Sequence, residues 1–196
     1  MREMIKMVIV LTILSTVSGG LLAYVKVGTK DRIDNQVLQL VKGPAIRSIL
    51  EGTSNDPIAD RFSLPDGEQE VDVFVGKFDG QPKTVVLEAF GKGYGGDVGL
   101  MVAVDVTQDQ IYGVGVTTHS ETAGLGSRAK DDPAFAAQFK GQPIDKPVQV
   151  SGDGGSINAL SGATITSRAV CAAATEAAQI YQRLKPQIED KLKSLP

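Results

Sequence analysis

The feature that most constrains this chain is residues 7–25 (MVIVLTILSTVSGGLLAYV), a run of 19 residues without a charge. Wound as a helix it extends about 28 Å, close to the thickness of a bilayer's hydrocarbon core. A cleaved secretion signal has a shorter apolar core, about 7 to 15 residues, and ends in a small-x-small site. Ala23-Tyr24-Val25 is a poor site of that kind, which favours a retained anchor. Arg2 and Lys6 precede the run while Lys26, Lys30 and Arg32 follow it, so basic-residue bias does not orient the span. Of the 20 Lys+Arg and 23 Asp+Glu in the 196-residue chain, only Arg2, Lys6 and Glu3 come before it. The remainder is net acidic, with the balance of a soluble body and no field suited to a nucleic-acid backbone. A single cysteine, Cys171, excludes a disulfide framework or a cysteine-clustered metal site within the chain, and a single histidine, His119, excludes a His-rich one.

After the span, Ile33, Val37, Leu38 and Val41 fall at helical spacing, and Gly43-Pro44 suits a second helix start. Residues 55–67 (NDPIADRFSLPDG) hold two prolines among turn formers and read as a loop. The period then changes to two. Val71, Val73 and Val75 alternate with polar neighbours, Asp79-Gly80 is a hairpin-type turn, and residues 84–89 resume the apolar run. Residues 98–106 alternate again, 108–110 turn the chain, and 111–118 form another strand, giving a meander of about four. Residues 133–139 read as a short helix, 147–150 as a short strand, and 151–156 as a Gly/Ser-rich loop. Residues 166–185 are rich in helix formers, with Val170, Ala173, Ala174, Ala177, Ile180, Tyr181 and Leu184 along one face; Pro186 ends or kinks this helix. Strands first with helices flanking makes the body α+β, a mostly antiparallel sheet behind a single N-terminal transmembrane helix. The expected organisation is an N-terminus at 1–6, the span at 7–25, juxtamembrane helices and linker at 26–67, and the main domain at 68–196.

The chemistry concentrates where the long helix begins. Ser161-Gly162-Ala163-Thr164-Ile165-Thr166-Ser167 brings four hydroxyls to a helix N-terminus, whose free N–H groups and positive dipole end favour an anion such as phosphate. The plainer alternative is that Thr164, Thr166 or Ser167 is only a cap. No Gly-Lys-Ser/Thr is present, so nucleotide hydrolysis is not supported. Gly91, Gly93, Gly95 and Gly96 either let backbone approach a flat ligand or make a flexible turn, with Tyr94 beside the ligand or merely at the surface. His119 and Glu121, two apart near a strand end, form either a proton or hydrogen-bond pair or a loop salt bridge. Arg168 pairs with the phosphate or with a surface acid, and Cys171 reads as a packed small residue.

Taken together, SGATITS at 161–167, GKGYGG at 91–96 and HSETAGLG at 119–126 resemble the FMN-binding domain of two membrane proteins. These are the G subunit of the Rnf electron-transport complex and the C subunit of the sodium-translocating NADH:quinone reductase. FAAQFKG at 135–141 resembles a weaker element that packs behind the site. The resemblance implies covalent FMN, joined by a phosphoester to Thr164 and installed by a separate flavin transferase. Ser161, Gly162, Ala163, Thr166 and Ser167 would surround the phosphate. Tyr94, Gly95, His119, Glu121, Thr122, Leu125 and Gly126 would meet the cofactor. It further implies an electron-carrying subunit, not a complete enzyme alone, within an ion-translocating ferredoxin:NAD oxidoreductase. Its partners would be other Rnf subunits, including a second covalent-flavin membrane subunit and iron–sulfur subunits, and the lipid bilayer. The location implied is the inner (cytoplasmic) membrane, with residues 1–6 cytoplasmic and the body on the periplasmic or extracellular side. The short chain favours the G-type protein; the C-type protein and a non-redox membrane-tethered scaffold are the alternatives. Two positions depart from the pattern: Asn158 stands where an acid is usual three residues before the motif serine, and Ala123 where a proline is usual.

Overall fold

The computed structural model describes residues 1–67 and 69–194 and divides into two compact units, 1–40 and 41–196. The first is built on α1 (Arg2–Val37), long and apolar enough to cross a membrane. Within its apolar stretch Thr12 and Thr16 donate their hydroxyls to the carbonyls of Val8 and Thr12, each at 2.8 Å, so neither needs water. The separate helix expected over 31–41 is instead the continuation of α1, which is followed by one π-helical stretch (Leu38–Lys42) and by α2 (Gly43–Ile49). Pro44 explains the irregularity. It has no N–H for the carbonyl four residues back, and a widened turn accommodates its ring.

The body is a five-stranded antiparallel meander, β1 (Arg61–Asp66), β2 (Gln69–Phe78), β3 (Gln81–Lys92), β4 (Asp97–Asp105) and β5 (Gln110–Val116), in sequence order across the sheet. The first strand corrects the sequence reading, which took residues 55–67 for a loop. Pro65 is tolerated because β1 is an edge strand, where a missing ladder donor faces outward. Asp79 and Gly80 both have positive φ (55° and 75°), the two-residue turn that matches strand twist. Beyond β5, Thr117 N still donates to Gly99 O at 2.9 Å and Gly99 N to Thr118 O at 2.8 Å.

Helix α2 lies against β5 and β4, with Ile46 fully buried. Two short helices follow β5, α3 (Arg128–Asp131), which the sequence did not announce, and α4 (Pro133–Ala137), whose Asp132 cap accepts from Ala134 N at 3.0 Å. The strand expected over 147–150 reduces to a single parallel bridge between Val150 and Ile157. Val148 N instead donates to Thr175 Oγ1 at 3.0 Å, so this segment is satisfied by the long helix rather than by a neighbouring strand. That helix, α5 (Thr164–Ser194), packs on β3 and β4 through Ala169, Ala173, Ala174 and Ala177. It continues through Pro186 and buries Ile188 and Leu192, where the sequence suggested an end or a kink before a polar tail. Its second half is tied to the β4–β5 turn: Tyr181 is fully buried with its hydroxyl 3.4 Å from Asp109 Oδ1, and Lys185 Nζ reaches both Asp109 oxygens at 2.7 and 2.6 Å.

Two expectations follow. A Cβ at Gly91 would run into the main-chain carbonyl of Ala169, so Gly91→Ala must push α5 off the sheet. Urea unfolding should show a loss of about 1–3 kcal/mol, as for other overpacked cores. Cys171 is 3% exposed, and burial, helped by the charge of Asp153, pushes its thiol up to about 12. Iodoacetamide at pH 8 should leave it unmodified in the native protein and alkylate it after denaturation.

Candidate functional site

At one end of the sheet three segments meet: the β3–β4 turn, the loop after β5, and the entry to α5. Glu121 joins them. The residue is 8% exposed, and its carboxylate accepts from Gly95 N at 2.7 Å, from Tyr94 N at 3.2 Å and from the Thr166 hydroxyl, so one carboxylate holds the turn and the helix start to its own loop. Burial alone would raise its pKa. The donors from Thr166, Gly95 and Tyr94, with a smaller contribution from His119, outweigh that and hold it below the usual carboxylate range. Gly91, Gly93 and Gly95 therefore serve the protein's own packing: a Cβ on Gly95 would strike the Ser120 carbonyl. Loop packs closely on loop at Gly95, and the turn is held by the carboxylate.

The helix entry sorts the four hydroxyls. Gly162, at φ 77°, turns the chain, and Ala163 O accepts the first helical bond from Ser167 N at 3.0 Å. The capping position is thus an alanine, which offers no side-chain oxygen to the first-turn N–H groups of Thr164, Ile165 and Thr166. None of the expected hydroxyls caps the helix. Ser167 is fully buried, donating to Ala163 O and accepting from Leu160 N, both at 3.0 Å. Thr166 is 2% exposed and committed to Glu121. Thr164, the first helical residue, is exposed.

Thr164 opens on a cavity of about 530 Å³. Glu121, Thr122, Leu125 and Gly126 line it from the loop, Tyr94 from the turn, and Gly162, Ala163, Thr164 and Thr166 from the helix entry. All nine were marked from the sequence, and the fold brings them together. Ser161, Gly95, His119 and Ser167 are not in the lining. Gly95 acts through its amide; Ser161 is exposed beside the turn; His119 offers Nδ1 to the Glu121 amide at 3.3 Å, so the pair expected between the two side chains is a main-chain contact. Arg168 settles on the surface acid, with two bonds to Asp153 at 2.7 Å. Sequence reasoning missed Ile165, 49% exposed on the cavity and visible only as the apolar residue between two threonines. It also missed Gln138, whose side chain accepts from Asn158 N at 2.7 Å and donates to Asn158 O at 3.4 Å, holding the stretch of chain that leads to the helix.

The donor set suits a phosphorylated, partly apolar ligand. Uncapped N–H groups and a free hydroxyl stand at the helix entry, and Tyr94, Leu125 and Ile165, each at least 46% exposed, add apolar surface to the same lining. The FMN-binding domain model matches residues 93–179, which includes all of these segments. The G subunit of an ion-translocating oxidoreductase complex from Pseudomonas aeruginosa is 30% identical over 193 residues, covering 92% of this chain and 89% of that one. The chain belongs to this FMN-binding family of G subunits. The counterpart of the same name in Cereibacter sphaeroides is 35% identical over 140 residues, where the chain spans 64% of its length. Among solved structures, Shewanella oneidensis NqrC matches with a TM-score of 0.53 and 25% identity, covering 74% of this chain and 73% of that one. The C subunit of the Na(+)-translocating NADH-quinone reductase from Parabacteroides distasonis matches with a TM-score of 0.51 and 31% identity, covering 59% of this chain and 63% of that one.

The depressed pKa of Glu121 has a signed consequence. Its stabilisation is complete above the ordinary value of 4.5 and is lost as pH falls through the lower folded value. Thermal melts from pH 7 down to pH 2.5 should therefore show a smaller acid loss for Glu121→Gln than for the parent, from a lower starting stability.

Proposed function

We propose that this chain is the membrane-anchored G subunit of an ion-translocating oxidoreductase (Rnf) complex and carries electrons on FMN esterified through its phosphate to Thr164. One observation carries the reading: among the hydroxyls at the mouth of α5, Thr166 and Ser167 are buried and hydrogen-bonded inward, while Thr164 faces the cavity beside uncapped N–H groups. When bound, FMN supplies one- and two-electron redox chemistry. The residues of this chain bind and orient it. The first-turn N–H groups and the helix dipole stabilise the remaining phosphate charge, Tyr94, Leu125 and Ile165 offer apolar cover, and Gly162 sets the turn that brings Thr164 to the opening.

A permanent bond suits a carrier that must not lose its flavin while partners load and unload it. Those partners are the other subunits of the complex, including a second covalent-flavin membrane subunit and iron–sulfur subunits, and a flavin transferase matures the chain. The anchor is α1, and the body lies on the periplasmic or extracellular side of the cytoplasmic membrane. Backbone at 158 is what Gln138 grips, so Asn158 in place of an acid leaves the acceptor turn intact.

Co-expression with a flavin transferase followed by intact-mass measurement tests the assignment. The chain should gain about 440 Da, the mass of FMN less water. Thr164→Ala should lose both the adduct and in-gel flavin fluorescence while its melting temperature stays close to the parent's, since the side chain is exposed and makes no capping bond. An adduct that persists in the alanine variant moves the ester elsewhere, and a parent chain that stays bare favours the tethered scaffold.

A further inference from the structure

We propose that Glu121 sets the reduction potential of the flavin, as a fixed negative charge in the wall of the cavity onto which Thr164 opens. The inference rests on the assignment of FMN to Thr164 and goes beyond it, because it concerns how readily the bound flavin accepts electrons. Three observations carry it. First, among the described residues lining the cavity Glu121 is the one that carries a charge; the others are Tyr94, threonines, and apolar or small residues. Second, the three groups that its carboxylate accepts from, Tyr94 N, Gly95 N and the Thr166 hydroxyl, are neutral donors, so at hydrogen-bond distance the charge is met by dipoles and not by a paired cation. His119 makes its hydrogen bond to the Glu121 amide, at 3.3 Å, and not to the carboxylate. Third, Glu121 as a residue is buried, 8% exposed, which reduces screening of its charge by solvent and salt.

The consequence is electrostatic. Reduction of the ring by two electrons and one proton, FMN + 2e⁻ + H⁺ giving FMNH⁻, adds a unit of negative charge. A carboxylate held ionised beside the cavity opposes that gain and lowers the potential. The geometric role of Glu121, tying turn, loop and helix together, is a separate effect, and two variants distinguish it. Glu121→Gln keeps the size and removes the charge. Thr166→Val keeps the charge and removes one of its donors.

The test is a spectroelectrochemical titration at pH 8 of the full-length, flavin-loaded chain in detergent, with dithionite as reductant and soluble mediators, and with intact mass measured on each sample. Glu121→Gln should have a higher midpoint potential than the parent, while Thr166→Val stays at the parent's value or falls below it. An unchanged potential in Glu121→Gln overturns the proposal. So does a rise in Thr166→Val as large as that in Glu121→Gln, which would make geometry the cause. If Glu121→Gln does not accumulate as folded protein, Thr166→Val decides alone: a rise overturns the proposal, and a value at or below the parent's supports it. A parent chain lacking the adduct of about 440 Da fails at the earlier step and overturns the flavin assignment itself.

Discussion

The end of the molecule that matters for function is organised by one buried carboxylate. Glu121 accepts from two amides of the β3–β4 turn and from a hydroxyl on the first turn of α5, and its own amide is held by His119. Each of these segments is irregular and would cost conformational entropy to order alone. A single ionised group with three donors satisfies N–H groups that loops usually leave to water. The same contact also explains a composition. With the turn drawn against the 119–121 loop, its Gly95 has no room for a side chain.

That knot determines which hydroxyl at the helix mouth is free. Thr166 is drawn under the loop by Glu121, and the helical repeat then turns Ser167 to the interior, where it bonds to Ala163 O and Leu160 N. Thr164, two residues before Thr166, is carried to the opposite side of the turn and faces solvent. The alanine at the capping position completes the arrangement. A serine or aspartate there would fill the first-turn N–H groups with its own oxygen and compete with any anion that approached. What looks in the sequence like a run of interchangeable small hydroxyls is two buried structural supports, Thr166 and Ser167, and two exposed side chains, of which Thr164 lines the cavity.

Much of this was legible from residues alone. The uncharged run predicted α1, period-two alternation predicted β2 to β5, and the alanine-rich face predicted α5 and its packing. Edge strand β1 was hidden because Pro65 interrupts the alternation, and its pairing with β2 is visible only across the sheet. The continuation of α5 past Pro186 was hidden because a proline is a local signal, while Ile188 and Leu192 are held by tertiary burial. At the site, the motifs named three segments that the fold brings together and nine of the residues lining the cavity between them. They did not give the direction each side chain faces. The glycines of 91–96 read as room for a ligand or as a flexible turn, because sequence cannot show that Ala169 packs against Gly91 and Ser120 against Gly95. His119 and Glu121 read as a side-chain pair because spacing cannot show that the carboxylate turns toward the glycine turn.

Helix α5 links the site to the rest of the body. Its first turn carries Thr164, its alanine face lies close on β3 and β4, and its distal half is pinned at the β4–β5 turn by Tyr181 and Lys185 through Asp109. A helix fixed along its length cannot rock at its N-terminus without disturbing packing far from the cavity. Rigidity of that kind suits electron transfer, because a scaffold that holds its dipoles in place adds little reorganisation when a charge arrives. It also makes the exposed apolar rim, Tyr94, Leu125 and Ile165, the part of the site able to adapt. A rigid carboxylate and helix end can fix the electrostatics of a bound flavin while exposed side chains adjust to whatever lies across the opening.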